Sequence, residues 1–342
     1  MGTTAIQFHW YNMEEPEKLK ISENIKKIEP YDISIDITSI KKLYEPGWKI
    51  IYNGNKEKIK RKMIMNNGIV VSFLGNCNRG KTYFLQKLSG YNLEKEHQIQ
   101  TEGLNMKFKD NIIYLDAPGI KTLILLDNNV KSTKEEEIYN IAICQTITNY
   151  IVQKFLIENA DILIYIVGII NCGELISLNK IKNFCENEKN IIVIHNLIKC
   201  ESLEDIEKYK NEVLMKIISC ELIEKKIPSI EYNNINNINK IYFVEKDNPN
   251  IIHFIFANDD KKNKDLETIN NSTLDFIRDV IAIKRKKRKN IIKNFLVTIK
   301  DLSCYALKNG ITPKIEGDFI KCEEKDIILK EIKEQNLDNI FF

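Results

Sequence analysis

The sequence predicts an α/β fold in three layers, with a mainly parallel sheet between two sets of helices. Three observations carry this. Short, nearly continuous apolar runs recur along the chain, as strands buried on both faces require. Segments with apolar residues at helical spacing alternate with them. The run Ile69–Leu74 (IVVSFL) leads through a glycine-bounded turn into such a segment, giving the strand–loop–helix unit around which doubly wound sheets are built.

In chain order, residues 1–60 are polar and punctuated by Pro16, Pro30 and Pro46. Ile33–Ile37 alternates like a short strand, Pro46-Gly47 marks a turn, and Tyr44–Tyr52 around Trp48 is expected to pack against the regular domain. This stretch reads as an N-terminal extension. Residues 61–289 form the regular domain. After IVVSFL, Thr82–Leu88 places Tyr83, Phe84, Leu85 and Leu88 on a helix. Leu104–Phe108 alternates and Ile112–Leu115 (IIYL) is a buried strand. Glu135–Ile157 is a long helix and Ile162–Val167 a strand. Ile181–Cys185 belongs to a helix, Ile191–Ile194 to the next strand, and Leu203–Ile218 is helical again. Ile241–Val244 adds a strand, Ile251–Phe256 is the last core strand, and Leu266–Ile283 is a closing helix. Residues 290–342 are a short, amphipathic, charged tail. In such a sheet the ligand lies beyond the carboxyl ends of the strands.

Composition narrows the function classes. Hydrophobic residues are 43% and charged residues 29%, enough for a sizeable core. A net charge of +3 gives no reason to expect wholesale nucleic-acid or membrane binding, so no nucleic-acid partner is expected and any basic surface is local. The eight cysteines are scattered without a C-x-x-C pair, and the four histidines do not stand at metal-ligand spacings beside them. Reduced thiols in a cytoplasmic protein fit better than disulfides or zinc. The longest apolar run, Ile162–Ile170, is too short for a bilayer of roughly 20 helical residues. The basic run Lys284–Lys289 reads as the solvated end of a helix, with an anionic-lipid patch or a localisation signal as alternatives.

The chemistry concentrates after the first core strand. Gly75-Asn76-Cys77-Asn78-Arg79-Gly80-Lys81-Thr82 matches G-x-x-x-x-G-K-[S/T]. Glycines permit the tight turn that aims successive N–H groups at a phosphate, and the following helix adds the positive end of its dipole. Lys81 is placed to neutralise β- and γ-phosphates and Thr82 to ligate Mg²⁺. In a chain with 13 glycines this spacing is not an accident of composition. Asp116-Ala117-Pro118-Gly119 ends the IIYL strand, where Asp116 can reach Mg²⁺ through water and the Gly119 amide a γ-phosphate. Thr101-Glu102-Gly103 precedes Leu104–Phe108, and the Thr101 hydroxyl can close on the same cation as a nucleotide-dependent switch. The strand end Ile194-His195-Asn196-Leu197-Ile198-Lys199 is the candidate base site. Asn196 can hydrogen-bond a base there, but no carboxylate follows to pair with guanine N–H groups, and a strand-end turn is an equal reading. Together these motifs specify the fold class more narrowly, as a three-layer P-loop NTPase G domain with an N-terminal extension and a short C-terminal tail.

The set GNCNRGKT, TEGL, DAPG and a strand ending in HNL resembles the large-GTPase branch of the P-loop superfamily over roughly residues 45–285. It is most similar to guanylate-binding proteins and atlastins, with dynamins further off. The resemblance implies binding and hydrolysis of GTP to GDP, Mg²⁺ dependence, and a homodimer across the nucleotide face. It implies cofactor contacts from Gly75 through Thr82, from Gly119, and from His195 and Asn196. Metal contacts would come from Thr82, Thr101 and Asp116, and catalytic roles fall to Lys81, Thr101 and Arg79. Arg79 stands one position later than the internal arginine of those families, and Ile120 stands where Ras-like proteins have a glutamine. Slow turnover is therefore expected. A nucleotide-binding interaction module with little turnover, and an ATPase with relaxed base choice, remain open at this point.

Overall fold

A computed structural model describes residues 31–37, 39–44, 46–65, 67–91, 103–119, 135–185, 189–217, 221–227, 241–257, 263–284, 287–288, 290–307 and 310–322. In chain order the elements are β1 (Ile33–Asp36), a 3-10 turn (Ile40–Leu43), β2 (Trp48–Tyr52), α1 (Lys56–Met65), β3 (Asn67–Leu74), α2 (Lys81–Ser89), β4 (Leu104–Lys109) and β5 (Ile112–Asp116). Then come α3 (Glu135–Asn159), β6 (Ile162–Val167), α4 (Cys172–Phe184), β7 (Asn190–Leu197) and α5 (Leu203–Tyr209), which passes through a π-turn (Lys210–Leu214) into α6 (Met215–Ile217). The chain continues with β8 (Leu222–Lys226), β9 (Ile241–Glu245), β10 (Ile251–Ala257), α7 (Lys264–Ala282), β11 (Lys287–Arg288), α8 (Ile291–Ala306), β12 (Lys314–Glu316) and β13 (Phe319–Lys321).

The strands form one sheet in the order β12-β13-β2-β1-β4-β5-β3-β6-β7-β10-β9-β8, with β11 paired to β3 off this path. The centre, β5-β3-β6-β7-β10, is parallel. Both wings are antiparallel, β4, β1, β2, β13 and β12 on one side and β9 and β8 on the other. The centre is what continuous apolar runs demand: every residue of β6 (ILIYIV) is buried. The chain leaves β3 for β5 on one side and then crosses to β6 on the other. The topological switch point therefore lies at the carboxyl end of β3, directly before Gly75. The mixed α/β architecture with a parallel centre agrees with the sequence reading.

Helices cover both faces. Ile147, Ile151 and Phe155 of α3 join Phe295 and Ile299 of α8 and Trp48 of β2 in one apolar cluster. There Trp48 stacks on Phe295 at 6.1 Å and Phe155 meets Phe295 edge-on at 4.8 Å, the offset and edge geometries aromatic pairs prefer. On the other face Phe84, Leu85 and Leu88 of α2 pack with Leu274, Ile277 and Ile281 of α7 over Phe73, Ile164 and Phe254. A third cluster lies under α5, with Leu197, Tyr209 and Phe243.

The flanks differ from the sequence reading in four ways. The strand expected at Ile33–Ile37 forms as β1, but it and β2 are hydrogen-bonded into the central sheet, and the residue 60/61 division falls inside α1. In the tail, α8 packs on α3's side and β13 pairs with β2, so the chain after 290 closes against the strands near its start. The helix expected over 203–218 breaks at Lys210–Leu214 into a π-turn. In its described part the basic run is not the helix end expected: α7 stops at Ala282, and Lys287–Arg288 pairs with Asn67–Gly68 as a strand. Among the described residues no helix is long and apolar enough to cross a membrane, and all seven described cysteines are free.

Candidate functional site

The loop 75–80 joins β3 to α2 at the switch point. Gly80 holds φ 82°, a left-handed conformation natural to glycine, and starts α2 at Lys81. A Cβ at Gly80 would also lie 2.5 Å from Asn196 Nδ2, because that amide donates to the Arg79 carbonyl at 2.9 Å. Asn196 thus fastens the end of β7 to the loop. Gly119, after β5, lies against the backbone of Asn76 and Cys77, and a Cβ there would overlap it. The two glycine-bearing turns therefore form one wall, as their sequence motifs require.

Within this wall Lys81 is buried, and its ammonium donates to the Asn76 carbonyl at 3.1 Å. Burial pushes its pKa down, opposed by the nearby charges of Asp116 and Cys77. The Asn76 side-chain oxygen is buried without a hydrogen-bond partner among the described residues. Asp116, wholly buried at the end of β5, accepts at one oxygen from Thr82 Oγ1 at 2.8 Å and Tyr31 Oη at 2.7 Å. Its other oxygen accepts the Ala117 N–H at 3.1 Å. Burial raises the Asp116 pKa, while the hydrogen bond from Tyr31, the charge of Lys81, and the bonds from Thr82 and Ala117 oppose the rise. Burial and the Asp116 charge push the Tyr31 phenol far up.

Arg79 turns away from the loop interior. Its Nε lies 2.7 Å from Glu174 Oε1, and its guanidinium runs along Gly168. Glu174 is fully buried in the first turn of α4, where Asn171 caps the helix by accepting the Glu174 N–H at 3.0 Å. A carboxylate at that end also meets the positive pole of the helix. The expected catalytic arginine is therefore an ion-pair partner of α4.

His195 alternates with Asn196 along β7 and faces the opposite way. It is fully buried and belongs to a chain of hydrogen bonds: Tyr209 Oη to His195 Nδ1 at 2.8 Å, His195 Nε2 to His253 Nδ1 at 3.0 Å, and His253 Nε2 to Glu245 Oε1 at 3.0 Å. Lys182 Nζ closes the chain on Glu245 at 2.5 Å. Burial raises the Glu245 pKa, but the bonds from His253 and Lys182 outweigh it and hold the carboxyl ionised. An ionised acceptor makes His253 Nε2 the donor. His253 Nδ1 then accepts from His195 Nε2, and His195 Nδ1 accepts from Tyr209, whose oxygen is left to receive the Ile170 N–H. Burial lowers both imidazoles, that of His195 well below its usual value with His253 adding to it. His195 supports the strand and does not join the loop.

The structure thus assembles Gly75, Asn76, Cys77, Asn78, Gly80, Lys81, Thr82, Asp116, Gly119 and Asn196, while Arg79 and His195 point elsewhere. Thr101 lies outside the described residues. Sequence reasoning missed Tyr31, Glu174 and the partners of His195, none of which carries a local pattern. Among the described residues no cluster of three His, Cys, Asp or Glu side chains stands ready for a metal. A cation here would rest on Thr82, Asp116 and oxygens of a ligand, the coordination style of Mg²⁺ with phosphates.

No family model matches the chain. A heat shock protein of Dictyostelium discoideum is 27% identical over 208 residues, covering 52% of this chain and 29% of that protein. Among solved structures, the Roco2 RocCORdC protein of Methanosarcina barkeri bound to GDP aligns at TM-score 0.32 and 15% identity, over 65% of this chain and 51% of that one. A probable GTP-binding protein engB aligns at TM-score 0.29 and 15% identity, over 61% and 99% respectively. The bacterial selenocysteine-specific elongation factor EF-Sec aligns at TM-score 0.31 and 13% identity, over 62% and 29%. The chain spans under a third of that curated relative and about half of the Roco2 chain. These similarities do not place it in the guanylate-binding or atlastin branch, which rests on the motifs alone.

Proposed function

We propose that the chain binds a guanine nucleotide with Mg²⁺ at the loop 75–82 and hydrolyses it slowly, as a nucleotide-dependent switch or assembly module. Lys81 carries this reading. Its ammonium is buried with one hydrogen bond among the described residues, to Asn76 O, so donors remain for an anion at the mouth of α2. Thr82 and Asp116 stand where a cation bridging that anion is held, and the bound cation would draw charge from the phosphoryl oxygens. Lys81 would neutralise the same oxygens, and Gly119 brings its turn against the backbone of Asn76 and Cys77, where any side chain would overlap the loop.

The Arg79–Glu174 pair favours a second reading, a binder with little turnover, because the guanidinium is held on α4. Pairing of two copies across the nucleotide face belongs to the switch reading and predicts a doubled mass on adding GTP and Mg²⁺.

Thermal melts with Mg²⁺ and GTP, GDP or ATP test the reading. Ligand at a hundredfold over Kd stabilises by about 2.7 kcal/mol, or roughly 5 °C for a chain of this size. A rise with GTP and GDP, absent in Lys81→Ala, is expected. An equal rise with ATP would move the site to a base-tolerant ATPase, and no rise with any nucleotide would refute the proposal.

A further inference from the structure

We infer that Tyr31 is a positioning residue of the cation corner: its phenol fixes the Asp116 carboxylate in the orientation that receives Mg²⁺ through water. The inference rests on the nucleotide reading above.

Among the described residues three donors fix Asp116. Tyr31 Oη and Thr82 Oγ1 converge on one oxygen at 2.7 and 2.8 Å, and the Ala117 N–H holds the other at 3.1 Å. Thr82 can serve both partners at once, its oxygen giving a lone pair to a cation while its O–H still donates to Asp116, so its position would follow the cation. Tyr31 and Ala117 are the donors that would not themselves touch the cation, one on each oxygen, and they define the carboxylate plane. The phenol is the only one of the two supplied by a side chain, so it alone can be removed without touching the backbone.

Tyr31 is rigidly seated. The Asn53 amide donates to its carbonyl at 2.7 Å, and the next residue, Asp32, donates its N–H to Met106 O at 2.9 Å. The Asp32 carboxylate accepts the Phe108 N–H at 2.8 Å. Both Met106 and Phe108 lie on β4, which pairs with β5 so that Asn105 stands opposite Asp116. The ring packs on the cluster containing Phe73 and Tyr114. Tyr31 leads into β1, which pairs with β4 and so stands two places from β5 in the sheet, and these bonds fix the main chain from which the phenol reaches Asp116. A phenol anchored in this way supports the carboxylate; a plug that swings out as a cation enters is the opposite case, which a Mn²⁺ titration separates.

The test uses the full chain, GDP as probe, and Mn²⁺ in place of Mg²⁺ so that bound metal is read by electron paramagnetic resonance. Tyr31→Phe removes one oxygen and keeps the ring in its cluster. Its Mn²⁺ half-saturation with GDP should rise about tenfold, the usual effect of losing an outer-sphere support, while GDP affinity in EDTA stays within about twofold. Asn53→Ala, at the exposed tether, should move the Mn²⁺ value in the same direction by less. An unchanged Mn²⁺ value would show that the phenol only fills space, and a lowered one that it blocks the cation. Equal losses with and without metal would show a structural role. Each of these overturns the inference while GDP binding by the native chain keeps the nucleotide reading intact. A native chain that binds no GDP would overturn both.

Discussion

Removal of the Arg79 guanidinium should destabilise the fold more than its half-open position suggests. Glu174 is the reason: its side chain is 1% exposed, and apart from the 2.7 Å approach of Arg79 Nε both carboxylate oxygens lack hydrogen-bond partners among the described residues. The Nε–H itself is poorly aligned, so the pair is held by charge more than by a directed bond. Stranding one member of a buried pair costs about 3–5 kcal/mol. Arg79 is 36% exposed, so water screens part of its contribution, and the helix pole beside Glu174 offsets part of the loss. The low end, about 3 kcal/mol, is the working value for Arg79→Ala. At roughly 2 °C per kcal/mol in a chain this long, nucleotide-free melting should fall by about 6 °C. The double variant Arg79→Ala/Glu174→Leu, with both charges gone, should recover most of that, since a well-packed apolar replacement of a buried pair is often neutral. Urea titrations of the native chain, the single variant and the double variant measure all three. A single variant within about 0.5 kcal/mol of native stability, or a double variant no better than the single, would refute the argument.

Acid should weaken the fold before the carboxylates titrate. His195 and His253 are held below the usual imidazole value, so between pH 6.5 and their folded values the unfolded chain binds more protons. Stability is therefore full above about pH 6.5 and falls as pH drops, by up to about 1.4 kcal/mol per pH unit for each histidine. Urea midpoints at pH 7.5 and 5.5 read this, and a flat profile contradicts it; His195→Phe should lower the slope. Gly119→Ala drives a Cβ onto the Cys77 backbone, so it should weaken nucleotide binding by at least about tenfold while circular dichroism stays native. Binding within twofold of native would show that this wall does not face the ligand. Glu174→Leu alone releases Arg79, and an increase in GTP turnover is expected; a decrease would show that the pair supports catalysis.

The local parts of the molecule are legible in the sequence. The phosphate loop, Asp116 and Gly119 each sit within a few residues of the strand that places them, so a motif and its flanking apolar run suffice. Tyr31 reaches Asp116 across 85 positions and His195 reaches His253 across 58, and no periodicity records such contacts. Arg79 carries the opposite hazard: a cation in a phosphate loop reads as catalytic until Glu174, buried in the first turn of α4, is seen to hold it. His195 is drawn into the base site by its neighbour Asn196, although the period of a strand turns adjacent side chains to opposite faces. At the edges, β12 and β13 are only three residues each, too short for an alternation to register. α8 is hidden by its charged surroundings, although Ile291, Phe295, Ile299 and Leu302 mark its buried side.

The central claim is that Lys81 completes an anion site for a guanine nucleotide. A fluorescent-nucleotide titration with GTP and ATP analogues in Mg²⁺, on the native chain and on Lys81→Ala, tests it most directly. Saturable binding of the GTP analogue, weaker binding of the ATP analogue, and loss of both in the variant are predicted. Native-like binding by Lys81→Ala, or no binding by the native chain, would contradict the account.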